Sequence, residues 1–330
     1  MSPVSTQPRL QGISIHPIKS CHRIELQECK VGAMGLEGDR RFMVVNGETN
    51  LAVTQRIYAS MSLITPILNA EDDTLTLTAD KLDSLVLPLH PDTSKLQCRT
   101  VKLWASKLQA FDMGDKAANW MKQFFDAYKH HDEANVHADV DSGKNRPSNL
   151  RLVTLDMAQG YKRDAHPELP GLTSPFTDWS PVSFGSLSSL DTLNGILVDG
   201  NWSKGNTVPM NRFRNNLTIS GTEPWEEDGW LVVRVGEVIF YIMQPTGRCP
   251  VPGINQDTGV KDSWGFPGPT TYLKKHRRFK EAPGEGCFCT DSIPLTSGTI
   301  RVGDKVEILE RIPAQYVARP MPVEDDVDED

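Results

Sequence analysis

The chain has 330 residues, which is long enough for about two domains with buried cores. Its 35 basic and 43 acidic side chains give a net charge of −8. Six of the carboxylates lie in the last seven residues, so the rest of the chain is close to neutral and nucleic acid is not an expected partner. Six scattered cysteines argue against a disulfide framework, and no apolar run is long enough for a signal peptide or a membrane span. We therefore expect a cytoplasmic protein without a membrane span.

The first half is predicted to be rich in β-strands, because short alternating or β-branched runs are broken by turn residues. These runs cover residues 10–17, 23–31, 41–46, 74–78, 84–89 and 99–104. From Asp115 to Lys129 the apolar residues recur instead at helical spacing, which predicts an amphipathic helix with an aromatic face in the core. The polar stretch Lys129–Arg146 is predicted to be a linker, because nothing in it could bury an apolar face.

The second half also favours strands, with a helix predicted from Ser186, which can cap its N-terminus, to about Leu197. Many short strands, few helices and no alternating βαβ pattern are typical of a barrel or a sandwich. The other predicted elements are strands at 149–155 and 213–220, a hairpin at 230–243 turning at Gly236, a basic helix at 272–279, and a hairpin at 298–309 turning at Gly303.

Several common chemistries lack their sequence motifs. The chain has no Walker A sequence, no G-x-G-x-x-G before a helix, no H-E-x-x-H and no G-x-S-x-G. Cys287 and Cys289 could supply one pair of metal ligands, but a zinc site needs a second pair. Buried structural thiols are therefore the preferred interpretation of these two residues.

Basic residues stand in short, distinctive strings. Lys19 and Ser20 follow the first predicted strand, and Arg40 ends a glycine-rich turn. Arg212 and Arg214 are two apart on a predicted strand, so both should point to the same face. Two such guanidinium groups repel unless an anion lies between them, and arginine is suited to bidentate phosphate recognition. The alternative is a solvated strand face or an ion pair with one of the acidic residues Glu223, Glu226 and Glu227.

Cys249 is the most distinctive of the six cysteines. It follows Arg248, in a turn that Gly247 and two prolines are predicted to form. An electropositive neighbour favours the thiolate, which ligates soft metals, and a turn can expose the sulfur. The alternative is a buried, unreactive cysteine of the core.

These strings resemble the MOSC proteins, named for the C-terminal domain of molybdenum cofactor sulfurase, and in particular the amidoxime-reducing components. The resemblance runs from about Leu10 to Glu310 and rests on K-S-C, G-D-R-R-F, R-F-R-x-N, P-W-x-E-D-x-W, G-R-C and G-x-I-x-V-G-D-x-V. It implies a predominantly β fold of the α+β class. The implied divisions are a disordered N-terminus at 1–8, a MOSC N-terminal β-barrel-like domain at 9–140, a MOSC β-barrel domain with a few helices at 147–312, and an acidic tail at 313–330.

The resemblance also implies a cofactor and a reaction. Such proteins bind molybdenum-molybdopterin, the molybdenum cofactor, and reduce N-hydroxylated substrates such as amidoximes and hydroxylamines by two electrons. It implies that Cys249 is the metal ligand and the catalytic residue. Trp179 stands where a small hydroxyl residue is expected, so we expect a reshaped pocket. The residues implied to bind the cofactor are Lys19, Ser20, Arg40, Ser180, Arg212, Arg214, Asn216 and Arg248.

Two other functions stay open at this point. The same domain ends the cofactor sulfurases, so the chain could be a non-catalytic cofactor carrier or a sulfur-transfer module, although it lacks their pyridoxal-dependent desulfurase domain. It could also be a non-catalytic β-rich binding protein in which the basic groups are structural, because short motifs match by chance.

An external electron donor is expected. The chain has no dinucleotide fingerprint, no flavin-type turn and no run of four cysteines for an iron–sulfur cluster. The resemblance implies a cytochrome b5-type haem protein served by an NADH-dependent reductase. Such haem carriers are acidic, so the basic run Lys274, Lys275, Arg277 and Arg278 is the predicted docking surface, with a solvated helix face as the alternative.

Overall fold

A computed structural model of the chain describes residues 7–134, 149–156, 163, 171–263, 268–280, 282 and 284–321. The first half consists of β1 (Arg9–Ile15), β2 (Ile24–Leu26), β3 (Glu28–Gly32), β4 (Gly35–Leu36), β5 (Phe42–Asn46), β6 (Thr65–Asn69), β7 (Thr74–Thr78), β8 (Leu85–Pro88), β9 (Gln97–Leu103), β10 (Ser106–Asp112), α1 (Asp115–Ala127) and α2 (Lys129–Ala134). The second half consists of β11 (Leu150–Thr154), β12 (Val182–Ser186), α3 (Leu187–Asp199), β13 (Leu217–Ser220), β14 (Trp230–Val235), β15 (Val238–Arg248), α4 (Pro269–His276), β16 (Gly286–Pro294), β17 (Gly298–Arg301) and β18 (Val306–Arg311).

The architecture is mostly β, as predicted. Eight strands form a curled half-barrel sheet in the order β18-β14-β15-β16-β12-β13-β1-β2. A four-stranded sheet has the order β5-β11-β10-β9, and two three-stranded sheets have the orders β17-β3-β4 and β6-β7-β8. The sequence-based fold class, predominantly β with a few helices, is confirmed.

The two halves of the chain share their sheets. Strands β1 and β2 complete the large sheet beyond β13, and β11 from the second half lies between β5 and β10. Because β1 and β13 run antiparallel with Ile13 opposite Leu217, the end of β1 lies beside the start of β13. Strand β12 is parallel to β13, so its start lies at the same edge. The segments that leave β1 and enter β12 and β13 therefore meet.

Apolar burial follows the predicted patterns. Helix α1 buries its aromatic face, including Trp120 and Phe124, against β7, β8 and β11. The interior of the large sheet is a second core that includes Trp230 and Phe240. Ser186 caps α3 as predicted, because its hydroxyl accepts a hydrogen bond from the Ser189 amide at 3.3 Å. The hairpin at 230–243 is confirmed by the pairing of Val235 with Val238, and β15 continues to Arg248.

Five of the predicted elements are wrong in part. The strand predicted at 213–220 covers only Leu217–Ser220, and the helix predicted at 272–279 runs from Pro269 to His276. Residues 129–134 form α2 instead of a linker, and their Asp132 accepts hydrogen bonds from the amide and hydroxyl of Ser60 at 3.1 and 2.9 Å. The rest of that predicted linker, 135–146, lies outside the described residues. Residues 23–31 form two strands instead of one. The predicted hairpin at 298–309 separates, because β17 pairs with β3 while β18 pairs with β14. The turn between them is tied to the first half by a hydrogen bond from Gly303 N to Leu10 O.

Candidate functional site

All nine residues predicted for the site line one pocket at the edge of the large sheet where the two halves meet. Lys19 and Ser20 come from the segment after β1, Ser180 from the segment before β12, and Asn216 directly precedes β13. The other predicted residues that line the pocket are Arg40, Arg212, Arg214, Arg248 and Cys249. These residues are up to 230 positions apart in the sequence, so it is the order of the strands in the sheet that brings them together.

Lys19 lies in a wall of the pocket organised by Asp178. The ammonium group donates to the Phe176 carbonyl oxygen at 2.9 Å and forms an ion pair with Asp178. Burial lowers the pKa of Lys19 to about 8, although Asp178 opposes the decrease. The Arg56 guanidinium also pairs with Asp178 at 3.4 Å and stacks 4.0 Å from the centroid of the Trp104 ring. The positive charge of Lys19 is thus stabilised by the partly exposed carboxylate of Asp178.

Arg40 lies on a second wall, beside a buried carboxylate. Its guanidinium donates to Asp39 at 2.6 Å and to the Arg214 carbonyl oxygen at 2.8 Å. Asp39 also accepts from the His16 amide at 2.7 Å and from the Asn216 side chain at 3.1 Å. Burial alone would raise the pKa of Asp39, but Arg40 and His16 outweigh it and lower the pKa to about 2. Asn216 is therefore part of the scaffold that fixes Arg40.

Arg212 and Arg214 do not share a strand face, so the sequence-based geometry is wrong. Residues 210–213 form a short 3-10 helix, and Arg214 adopts the left-handed conformation with φ of 53°, which turns the chain before β13 begins. Arg212 is buried against Asp262 at 3.1 Å and donates to the Pro252 carbonyl oxygen at 3.2 Å. The three glutamates considered from sequence are not its partner. The neighbouring guanidinium that acts on Arg214 belongs to Arg40.

Arg214 and Arg248 each have an unused donor. Arg214 Nη1 donates to Gln256 at 3.0 Å, and Arg248 donates to the carbonyl oxygens of Phe288 and Phe213 at 2.6 and 2.9 Å. The Nη2 atom of each arginine is buried without a hydrogen-bond partner. Burial, with the neighbouring Arg40, lowers the pKa of Arg214 to about 9, so the guanidinium remains charged at neutral pH.

Cys249 directly follows β15, so Gly247 and Arg248 belong to a strand and not to the predicted turn. The residue is partly buried, and burial raises the pKa of its thiol even though Arg56 and Arg248 act in the opposite direction. In the protein alone, the electropositive neighbours therefore do not outweigh burial at this thiol. The sulfur is nevertheless part of the pocket, whereas Cys287 and Cys289 are buried in β16 as structural thiols.

Ser180 is held by a buried carboxyl group that the sequence did not point to. Asp291 accepts hydrogen bonds from the hydroxyls of Ser180 at 2.9 Å and Thr246 at 3.0 Å. It is 4% exposed, and burial raises its pKa. Trp179, beside Ser180, lines the pocket and is 50% exposed, so this departure from the family pattern lies on the accessible side.

Sequence reasoning also missed Arg56, Trp104 and Asp178, which line the pocket together. Trp104 Nε1 donates to Asp178 at 3.0 Å, and 74 residues separate these two in the chain. Only the position of Asp178, two residues before Ser180, could have drawn attention to it. No local pattern identifies the other two residues.

The predicted basic docking surface is smaller than expected. Helix α4 ends at His276, so Arg277 and Arg278 lie beyond it. Arg277 is buried, pairs with Asp228 at 2.7 Å and stacks 3.7 Å from the centroid of the Trp225 ring. It is therefore a structural residue, while Lys274 and Lys275 are exposed.

The family of the chain follows from its similarity to known proteins. Residues 7–128 match the MOSC N-terminal beta barrel domain and residues 172–307 match the MOSC domain. The mouse mitochondrial amidoxime-reducing component 1 is 31% identical over 309 residues, covering 89% of this chain and 80% of the mouse protein. The chain belongs to the MOSC family that includes the amidoxime-reducing components. Its predicted domain bounds, 9–140 and 147–312, remain a prediction.

Other members of the MOSC family extend the comparison. The human mitochondrial amidoxime-reducing component 1 is 28% identical, with coverage of 89% of this chain and 81% of the human protein. The bovine molybdenum cofactor sulfurase is 24% identical over 77% of this chain but only 27% of the sulfurase. Within the described residues, no helix is long and apolar enough to cross a membrane. The names of the first two relatives place them in mitochondria, and the cytoplasmic location expected here remains a prediction.

Proposed function

We propose that the chain binds the molybdenum cofactor in this pocket and reduces N-hydroxylated compounds such as amidoximes and hydroxylamines. The observation that carries the proposal is the convergence of Cys249 with two buried arginine Nη2 atoms that have no hydrogen-bond partner. The similarity to amidoxime-reducing components over most of both chains supports the choice of reaction.

The donor set of the pocket suits an anionic, sulfur-ligated cofactor. Six cationic and three acidic side chains line it, so cations are in excess. A buried donor without a partner costs free energy, and a phosphate group can satisfy it with charge-assisted hydrogen bonds. A cysteine thiolate is a suitable further ligand for a metal that sulfur already ligates in the cofactor. The residues present therefore fit the cofactor that the family relation suggests.

Each group of residues has a distinct part in this proposal. Arg40, Arg214 and Arg248 would hold the anionic end, and Lys19 with Ser20 would contact the cofactor from the side of the first half. Cys249 would lose its proton and ligate the metal. When bound, the cofactor supplies the two-electron reduction that cleaves the N–O bond of the substrate and releases water.

The accessible side of the pocket would receive the substrate. Asp178 is kept ionised because Lys19 and Arg56 outweigh the effect of burial and hold its pKa well below the ordinary value. Its side chain is 43% exposed, so it can accept a hydrogen bond from an N–H or O–H group of a substrate. Asp178 and Arg56 line the same pocket as Cys249 and act electrostatically on its thiol, so both would lie near the proposed metal ligand.

The electrons would come from a separate protein, for which we propose a cytochrome b5-type haem protein with its NADH-dependent reductase. Encounters of this kind use small, transient interfaces. Of the basic run predicted to dock it, Arg277 is buried and paired with Asp228, whereas Lys274 and Lys275 are exposed and remain candidates together with Arg278.

A cofactor carrier or sulfur-transfer module is the second candidate, since the match to the bovine sulfurase covers 77% of this chain. Turnover separates the two functions. The chain, produced in cells that make molybdenum cofactor, should reduce benzamidoxime with a chemical electron donor. Protein that contains molybdenum and pterin but gives no turnover with donor and substrate would favour the carrier.

A further inference from the structure

Two buried glutamines connect the two halves of the chain at the pocket, where Gln55 belongs to the lining and Gln256 lies behind it. Gln55 and Gln256 are 1% and 3% exposed. Arg214 Nη1 donates to Gln256 Oε1 at 3.0 Å, and Gln256 Nε2 donates to Gln55 Oε1 at 2.9 Å. Gln55 Nε2 then donates to the Ser20 carbonyl oxygen at 2.9 Å. We call Gln55 and Gln256 the glutamine relay.

The direction of the glutamine relay is fixed at both ends. The Arg214 guanidinium can only donate hydrogen bonds, and the Ser20 carbonyl can only accept them. The oxygen of Gln256 must therefore face Arg214, and its nitrogen must face the oxygen of Gln55. Turning either amide over would place two donors or two acceptors against each other. The relay thus specifies a single arrangement of Arg214 relative to Ser20.

The partner that orients Arg214 is neutral, which distinguishes it from its neighbour in the sequence. Arg212 meets the carboxylate of Asp262 at 3.1 Å. Arg214 forms no ion pair with any of the residues described, and its Nη2 atom is buried without an acceptor. A carboxylate at position 256 could accept the same hydrogen bond, but it would neutralise the arginine. An amide orients the guanidinium and leaves its charge available.

We propose that the glutamine relay positions an anion seat, in which Arg214 and Ser20 are held for a phosphate group while the arginine keeps its charge. Gln256 is then a positioning residue behind the pocket lining, whereas Gln55 belongs both to the relay and to the lining. This proposal rests on the proposed function in one respect, because the natural ligand of the anion seat would be the phosphate of the cofactor. Inorganic phosphate serves as a probe that does not depend on this identification.

The first variant is Gln256→Glu in the full-length chain, which keeps the shape and the acceptor but adds a negative charge beside Arg214. We expect the thermal unfolding midpoint without phosphate to stay near the wild-type value, because the new ion pair with Arg214 offsets the loss of the Nε2 donor that faces the oxygens of Gln55 and Ile254. The affinity for inorganic phosphate, measured from the rise of this midpoint with phosphate concentration, should fall roughly 10- to 100-fold, since a charge-assisted hydrogen bond is lost. Pterin content should fall in parallel.

Gln55→Met is the second variant and introduces no charge. It removes the link between Gln256 and Ser20 and leaves Gln256 Nε2 only its hydrogen bond to the Ile254 carbonyl oxygen at 3.1 Å, so phosphate affinity should fall about tenfold, the effect of one hydrogen bond. Gln11→Glu is the matched control, because it adds the same charge at an exposed position of β1 outside the pocket. This control should bind phosphate as the wild type does.

Wild-type phosphate affinity in folded Gln256→Glu or in Gln55→Met would overturn the proposal, even if the unfolding midpoint fell, because the relay would then be structural only. If Gln256→Glu does not fold, Gln55→Met decides alone. A wild-type midpoint that phosphate does not change would also overturn it. Wild-type protein that binds phosphate but never contains pterin would instead reject the proposed function and leave the relay supported.

Discussion

Of two buried charge clusters in this molecule, the pocket has an excess of cationic groups and the other cluster has an excess of acidic groups. In the pocket, Arg214 and Arg248 each keep a buried Nη2 atom without a partner. Behind β16, Glu227 and Asp228 share the single guanidinium of Arg277, which bonds Asp228 at 2.7 Å. Burial, together with Asp228, raises the pKa of Glu227 to about 7. A carboxyl group can thus lose its charge by binding a proton near neutral pH.

An arginine has no such response at physiological pH. Even with burial and Arg40 beside it, the pKa of Arg214 remains at about 9. The acid-rich cluster, which consists of Glu227, Asp228 and Arg277, can therefore neutralise its excess charge by binding a proton. The cation-rich pocket can do so only by binding an anion. This difference supports the proposal that the pocket is a binding site, and that the cluster around Glu227 belongs to the scaffold.

The largest effect is expected at the sulfur of the pocket. Cys249→Ala should abolish benzamidoxime reduction, because the proposed metal ligand is lost, while circular dichroism and the unfolding midpoint stay near wild type. Cys98→Ala, at an exposed position of β9, is the control and should keep full turnover. Full turnover by Cys249→Ala with bound molybdenum would show that the metal ligand is assigned wrongly.

The two arginines of the R-x-R string should separate into different roles. Arg212→Ala leaves Asp262 buried without its partner and should cost about 3–5 kcal/mol of unfolding free energy. Arg214→Ala removes a cation that forms no ion pair among the described residues, so it should cost less stability than Arg212→Ala, and should weaken cofactor binding by roughly 1.5–3 kcal/mol. Denaturant titration and pterin content measure the two effects. Equal stability losses would remove the distinction between paired and unpaired guanidinium groups.

The acid-rich cluster should show a pH dependence of its own. Because the folded-state pKa of Glu227 lies near 7, above its ordinary value of 4.5, the folded state binds the proton more tightly. The stabilisation is complete below about pH 4.5 and is lost as pH rises through 7, a difference of about 3 kcal/mol. Glu227→Gln should remove this part of the pH profile of unfolding free energy. An unchanged profile would mean that Glu227 does not hold the proton.

The smallest effect on activity is expected from the exposed lysines of helix α4. Replacing Lys274 and Lys275 by Ala should slow coupled NADH oxidation by the three-protein system a few fold, with a weaker dependence on salt, because exposed charges steer an acidic partner. Turnover with a chemical donor should not change. Arg277→Ala should instead lower stability, since Arg277 lies inside the cluster. Coupling that is independent of salt in the wild type would argue against a basic docking surface.

Sequence patterns predicted the core faces better than the strand partners. The alternation around Ile300 and Val306 correctly marks buried positions, but only the folded chain shows that β17 and β18 enter different sheets. The spacing of Arg212 and Arg214 suggested a shared face, and the left-handed backbone at Arg214 changed it. Local spacing could not reveal either outcome, because both depend on hydrogen bonds to distant segments.

The residues of the candidate site also fall into two groups, those that the sequence could predict and those that it could not. Residues within recognisable strings, such as Lys19 and Cys249, could be named from the sequence, and the sheet order brings them together. Asp178, Asp291 and Gln256 could not, because their roles arise from contacts with residues 42 to 159 positions away. A buried partner at that distance leaves no periodic pattern in the chain.

The central claim is that the cation-rich pocket binds the molybdenum cofactor through Cys249, and metal and pterin analysis of the purified full-length chain tests it most directly. Protein produced in cells that make the cofactor should contain about one molybdenum and one pterin per chain, and Cys249→Ala should lose most of the molybdenum. Wild-type protein that contains neither molybdenum nor pterin under these conditions would contradict the account.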